Sequence, residues 1–239
     1  MIKIPHTYED FILNEKNYSK VLILRHDVDD LPQNSLATAL LENELGAKGS
    51  YYFRIVKQSL QPDVIKKIVA AGHEIGYHYE DVALANGNIG KALENFTKHL
   101  EIIKTYYPVK TICMHGSPLS KWDNRLLWKK NNYKEHGIIG EPYFDIDFNK
   151  VLYITDTGRN WNKTETSIRD KVKTSFNFYF RSTFDISKAF EENKLPDHIM
   201  LNIHPQRWTD NYAQWLKELI FQNLKNVVKR LMTIHRILD

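Results

Sequence analysis

Five short segments of the chain end in side chains able to bind cations or move protons. Arg25-His26-Asp27-Val28-Asp29-Asp30 follows the apolar run Val21-Leu22-Ile23-Leu24. His78-Tyr79-Glu80-Asp81, His115-Gly116-Ser117-Pro118 and His204-Pro205 close three further β-rich runs, and Asp156-Thr157-Gly158-Arg159-Asn160-Trp161 closes another. Imidazole and carboxylate donors together suit a borderline divalent ion such as zinc, cobalt or nickel. Such an ion acidifies a bound water and polarises a carbonyl, so that hydroxide attacks near neutral pH. Asp27 and Asp29, two apart, suit a division between base and ligand, and His204 suits the acid that protonates a leaving amine. The implied chemistry is metal-assisted hydrolysis.

Plainer readings stand beside this one. Asp27 and Asp29 could cap a following helix. His73 opens a strand rather than ending one and reads as a structural histidine bonded to backbone. Asp156 and Arg159 could brace a loop by pairing with each other. Trp161 could be core or the wall of a sugar-binding groove, whereas Trp208 and Trp215 read as packing. Cys113, inside an apolar run, reads as an inert core thiol.

The elements that must position these residues alternate between β-rich and helical patterns. Strands are expected at 21–24, 50–55, 74–78, 111–114 and 199–203. Helices are expected at Leu36 to Leu45 (capped by Asn34 or Ser35, with Gly46 past the end), at Pro62 to Ala71 and at Ser182 to Asn193. Ile89, Leu93, Phe96, Leu100 and Ile103 recur at helical spacing. Two β-rich segments between Tyr143 and Thr155, flanking Asn149-Lys150, read as a hairpin. The last helix, about 209–237, carries Tyr212, Trp215, Leu219, Val227, Leu231 and Ile234 on one stripe; its length suits packing across the body or a partner surface. Repeated β-α units imply a largely parallel sheet, wound open or closed into a barrel, with ligands at the carboxyl ends of its strands.

Composition narrows the classes. At 239 residues, 42% hydrophobic and 26% charged, the chain is of globular type, and a single domain over 1–239 is expected. No run approaches the roughly 18 apolar residues of a membrane span. The amino-terminal residues lack the apolar stretch of a secretory signal, which makes a cytoplasmic location the expectation. One cysteine excludes a disulfide framework and a Cys-rich zinc site. The net charge of +4 is small, and the late basic residues lack the dense runs of a nucleic-acid footprint, so no nucleic-acid partner is expected.

The order of these motifs resembles the polysaccharide deacetylase family, the NodB-homology domain of carbohydrate esterase family 4. Leu24-Arg25-His26-Asp27-Val28-Asp29 is similar to its first motif, a strand ending in paired aspartates. Gly72-His73-Glu74-Ile75-Gly76-Tyr77-His78 nearly reproduces a run that often leads into its second motif, and Leu201-Asn202-Ile203-His204 matches the fifth. Met114 to Pro118 would be the third motif, with His115 replacing an arginine, and Asp156 to Trp161 the fourth. The resemblance spans about residues 20–208. It implies a distorted (β/α) barrel and metal-dependent removal of an acyl group, usually acetyl, from an amino sugar, so a carbohydrate is the implied partner.

Carried over residue by residue, Asp27 would be the base, His204 the acid, and Asp29 and His78 metal ligands. The position of the family's second metal histidine is Val82, which cannot coordinate. His115 is the first choice for the third ligand and Glu80 the second. Arg25 or His26 would orient the base in place of the missing arginine. His26, Glu80, Asp156, Arg159 and Trp161 are the candidate substrate contacts. Two alternatives follow: a degenerate member that binds a glycan without hydrolysing it, and a metal-dependent hydrolase of a non-sugar cyclic amide.

Overall fold

The computed structural model describes residues 5–161 and 169–238. Its strands are β1 (Pro5–His6), β2 (Val21–Val28), β3 (Ser50–Phe53), β4 (Glu74–Tyr79), β5 (Ile112–Met114), β6 (Leu152–Thr155) and β7 (His198–Ile203). Its helices are α1 (Tyr8–Asn14), α2 (Pro32–Glu44), α3 (Pro62–Ala70), α4 (Asp81–Leu84), α5 (Ile89–Lys104), α6 (Pro142–Asp145), α7 (Thr183–Glu191) and α8 (Tyr212–Leu238). All strand pairs are parallel, in the order β5-β4-β3-β2-β7-β6, with β1 beside the start of β2.

Alternation along the strands divides the apolar residues between two faces. Val21 and Ile23 of β2 share one cluster with Tyr52, Cys113, Tyr153 and Met200. This cluster joins β5 to β6, the two ends of the strand order, so the sheet curls around it as a partly closed (β/α) barrel. The edge of β5 is flanked by residues 139–141, through Ile112 N–H to Gly140 O and Ile139 N–H to Lys110 O. Tyr8 and Phe11 of α1 join the same cluster from the amino-terminal end of the strands. Outside the curl, Val28, Tyr51, Phe53, Ile75 and Tyr77 pack against α2, α3 and α5. Leu152, Ile154 and Ile199 pack around Ile186 of α7, which opens on a Ser182–Asp185 capping box.

Two expectations need correction. Helix α2 starts at Pro32 rather than at Leu36, because proline at the first helical position already carries a helical φ; the residue before it, Leu31, has φ +50° and no side-chain cap. Asp27 and Asp29 therefore do not cap it. The expected hairpin is also absent among the described residues. Pro142 begins a short helix whose Tyr143 N–H is capped by the Glu141 carboxylate, and a turn follows at Asp147–Lys150. Only Leu152–Thr155 forms a strand, and it pairs in parallel with β7. Ile146 and Phe148 are apolar because they fill the barrel interior from a loop.

Candidate metal centre

Arg25, Asp27 and Asp29 alternate with His26 and Val28 along β2 and its exit, so that strand alternation sends the two aspartates to the interior side. The Asp27 carboxylate is gripped by Arg25, whose Nε lies 2.9 Å from Oδ1 and whose Nη2 lies 2.7 Å from Oδ2. Asn202 of β7 adds a bond from Nδ2 to Oδ2 at 3.1 Å. Arg25 itself is fully buried, with its guanidinium 5.2 Å from the Tyr143 ring centroid.

Three imidazoles converge on the two aspartates. His78, on β4, donates from Nδ1 to the Cys113 carbonyl at 2.9 Å. Its Nε2 lone pair consequently faces the aspartates, 3.6 Å from Asp29 Oδ1 and 3.9 Å from Asp27 Oδ2. His115, one residue beyond β5, donates from Nδ1 to Glu80 Oε2 at 2.9 Å and places Nε2 3.5 Å from the same Asp29 Oδ1. The register His78↔Cys113 explains this approach, since residue 115 lies two places further along the neighbouring strand. His204 follows β7, with Nδ1 2.6 Å from Asp156 Oδ1, and its Nε2 lies near the other oxygen, 3.9 Å from Asp29 Oδ2 and 4.0 Å from Asp27 Oδ2.

Asp29 Oδ1 is buried and accepts no hydrogen bond. Such an orphan acceptor is costly unless something occupies it. The ligand atoms of Asp29, His78 and His115 all lie within 4.8 Å of one another. Metal bonds of about 2.0–2.1 Å imply separations of roughly 3–3.4 Å between neighbouring donors, close to the 3.5 and 3.6 Å found here. The residues thus fit a divalent ion. A second grouping, Asp27, His78 and Cys113, is wholly buried, but burial pushes the Cys113 thiol well up and keeps it protonated, which makes it a poor ligand.

The electrostatics agree with this division. Burial alone would raise the Asp27 pKa, but the charges of Arg25, His78 and His204 outweigh it and hold it at about 2. Asp29 is likewise held well below the usual carboxylate range, burial being overcome by His115, His204, His78 and Arg54. Burial lowers His78 to about 4, which leaves its imidazole neutral, as a ligand must be, at ordinary pH.

The other candidates fall elsewhere. His26 is fully buried on the outer side of β2, stacked on Tyr51 and 2.8 Å from Glu42 Oε1, away from the Asp27 carboxylate, which Arg25 holds. Glu80 is paired with Arg54, at 2.8 Å from Nε and 2.7 Å from Nη2, and with His115, so its carboxylate is engaged beside the centre rather than in it. Asp156 is saturated by the His204 backbone and ring, Arg207 Nη1 at 2.8 Å and Trp208 Nε1 at 3.0 Å. Its carboxylate thereby fixes the orientation of the His204 ring. Arg159 does not brace Asp156; it pairs with Glu218 and lies over the Trp215 ring, directed at α8. Trp161 packs beside the α7 cluster with its ring 6.2 Å from that of Trp208, and Trp208, read as packing, holds Asp156. Val82 is buried in the outer core, and it is His115 that stands beside His78, their ring centroids 5.1 Å apart. His73 bridges Gly49 N–H and Ala39 O as a neutral structural histidine.

Several contributors escaped the sequence reading. Asn202 shares the interior face with His204, a signal that period-two alternation carried. Arg54 and Arg207 had no spacing to mark them. The loop carrying His115 is held by Asn124, whose Nδ2 donates to His115 O at 2.8 Å, and by Arg169, which donates to Gly116 O and Ser117 O at 2.7 and 2.6 Å.

Among solved structures, the chain is similar to a family 4 carbohydrate esterase from Streptomyces lividans in complex with acetate, at 13% identity and TM-score 0.44, covering 86% of this chain and 88% of that one. It is similar to the peptidoglycan deacetylase PdaC from Bacillus subtilis at 14% identity and TM-score 0.44, covering 87% and 84%. It is also similar to a CE4 family pseudoenzyme from Bacillus anthracis at 15% identity and TM-score 0.45. There it covers 85% of this chain, which spans only about 60% of the pseudoenzyme's length. No family model and no curated protein matches the chain. Its likeness is to structures of carbohydrate esterase family 4, the family that its motifs resemble.

Proposed function

We propose that the chain is a divergent carbohydrate esterase family 4 member, a metal-dependent hydrolase that removes an acyl group from the nitrogen of an amino sugar. The observation that carries this reading is the convergence of His78 and His115 on the orphan oxygen of Asp29, with Asp27 and His204 at its side. Asp29, His78 and His115 would hold the ion, with zinc, cobalt or nickel suited to the donors. When bound, it would supply the charge that acidifies water and polarises the amide carbonyl. Asp27, ionised throughout the neutral range, accepts the proton of the attacking water. Asp156 holds the Nδ1–H side of His204, so that protonated Nε2 gives its proton to the departing nitrogen and a free amine and a carboxylate result. Trp161 and Trp208 would stand at the sugar end.

The test joins elemental analysis to turnover. Wild-type protein should carry about one divalent ion, and His78→Ala and His115→Ala should each lose it. Asp27→Asn and His204→Ala should remain folded while kcat/KM on an N-acetylated amino sugar falls by about 10²–10⁴. Hydrolysis of cyclic amides but not acetylated sugars would transfer the assignment to that substrate class. A metal-free protein that binds a glycan without hydrolysing it would overturn the enzymatic reading.

A further inference from the structure

Arg25 has donors to spare after gripping Asp27. Its Nε and Nη2 serve that carboxylate, while Nη1 lies 3.4 Å from the hydroxyl oxygens of both Tyr143 and Tyr153. A phenol has one proton to give and lone pairs with which to accept. Were that proton turned towards Arg25, donor would face donor and buried N–H groups would go unpaired, at the full cost of their desolvation.

Asp170 prevents this. Its Oδ1 lies 2.6 Å from the Tyr143 hydroxyl and 2.6 Å from that of Tyr153, so each phenol gives its proton to the carboxylate. Their lone pairs are left to accept from Arg25, and Tyr153 accepts also from Asn202 Nδ2 at 3.1 Å. Asn202 is the second side chain that holds Asp27. Both grips on the base therefore meet at one hydroxyl, and a carboxylate sets the direction of its proton. The other oxygen of Asp170, Oδ2, accepts from Thr155 at 3.2 Å and from Thr157, which fixes the carboxylate in place. Tyr153 and Thr155 sit two apart on β6, and Thr155 is in register with Asn202 of β7, so strand alternation brings all three to one face. Arg169 anchors the backbone beside Asp170 independently, through its bonds to Gly116 O and Ser117 O.

We propose that Asp170 is a positioning residue for the base, acting on Asp27 through Tyr143, Tyr153 and Arg25. The kinetic part of the proposal rests on the hydrolytic reading. It is tested with the full chain loaded with zinc, on N-acetylglucosamine and its oligosaccharides. Asp170→Ala should lower kcat by about 10–100-fold with KM and zinc content unchanged. Asp170→Asn, whose amide oxygen still accepts from the phenols while its NH2 faces the threonine hydroxyls, should recover most of that loss. In a protein already carrying Tyr143→Phe and Tyr153→Phe, Asp170→Ala should cost no more than about a further threefold, because the effects lie in series. A kcat for Asp170→Ala within about twofold of wild type, zinc lost along with activity, or losses that multiply in the combined variant would overturn the proposal. Should Asp170→Ala fail to fold, the tyrosine pair decides, and wild-type kcat in that pair would overturn it. Should the wild type hydrolyse none of these sugars, the hydrolytic reading fails and urea midpoints judge the network alone. A combined loss smaller than the sum of the separate losses would then support it, and additive losses would overturn it.

Discussion

At the residue scale, the centre depends on what holds its imidazoles as much as on the imidazoles themselves. Glu80 fixes the His115 ring, and burial notwithstanding, bonding and charge from His115 and the charge of Arg54 hold its own pKa at about 2. Glu80→Gln should therefore weaken metal binding by about 10–100-fold in chelator competition while leaving the donor set intact; unchanged affinity would remove Glu80 from this role. Glu141 shows the opposite behaviour. Buried, and accepting bonds from Met114 N–H and Tyr143 N–H, it is pushed up from 4.5 to about 7, chiefly by burial. The folded state then keeps a proton that the unfolded chain releases, so this group's contribution to stability falls as pH rises from about 4.5 through about 7 and is level above. Whatever its fixed cost, Glu141→Gln should gain on wild type in urea midpoint as pH rises from about 5 to above 7. A gap independent of pH would contradict the shift. Legibility at this scale was uneven. The acids and histidines stood out by type, but His26 was placed with Asp27 although alternation along β2 sends the two to opposite faces. Arg54 and Glu80, 26 residues apart, meet only because β3 pairs with β4.

At the element scale, the run Gly72 to His78 was the most legible stretch, and the structure gives nearly every position in it a physical task. Gly72, at φ +81°, ends α3; His73 bridges two backbone groups; Glu74 accepts from Ser50 at 2.5 Å, from Thr111 and from Glu9 N–H. A Cβ at Gly76 would collide with the Tyr52 ring and lie 3.0 Å from the Thr111 carbonyl oxygen. Gly76→Ala should thus cost about 1–3 kcal/mol in chemical denaturation, and a loss under 0.5 kcal/mol would show that Tyr52 moves aside freely. The hairpin expectation failed because β-rich composition cannot separate a strand from a loop whose apolar residues fill a barrel. Ile146 and Phe148 are buried as a strand's would be, while Pro142 and the Glu141 cap bend the preceding residues into a helical turn.

At the scale of the whole molecule, fold class was legible from the β-α alternation, whereas the orientation of α8 was not, because periodicity reports a stripe without saying which way it points. A bound ion would stabilise the folded chain by mass action. Chelation should lower the thermal midpoint of metal-loaded protein, reflecting about 2.7 kcal/mol at a hundredfold excess of free metal over Kd, and His78→Ala should be indifferent to chelator; an unchanged wild-type midpoint would count against the centre. The three donors come from the exits of β2, β4 and β5, and β5 is a three-residue strand at one end of the order. A ligand pair on one helical turn could survive in a fragment, but this set, with an ion bound, would rivet separate strands together and would last only while the short margin of the sheet stays closed. Fraying there would release the cation, so its rate of escape would serve as a clock for the opening of that margin.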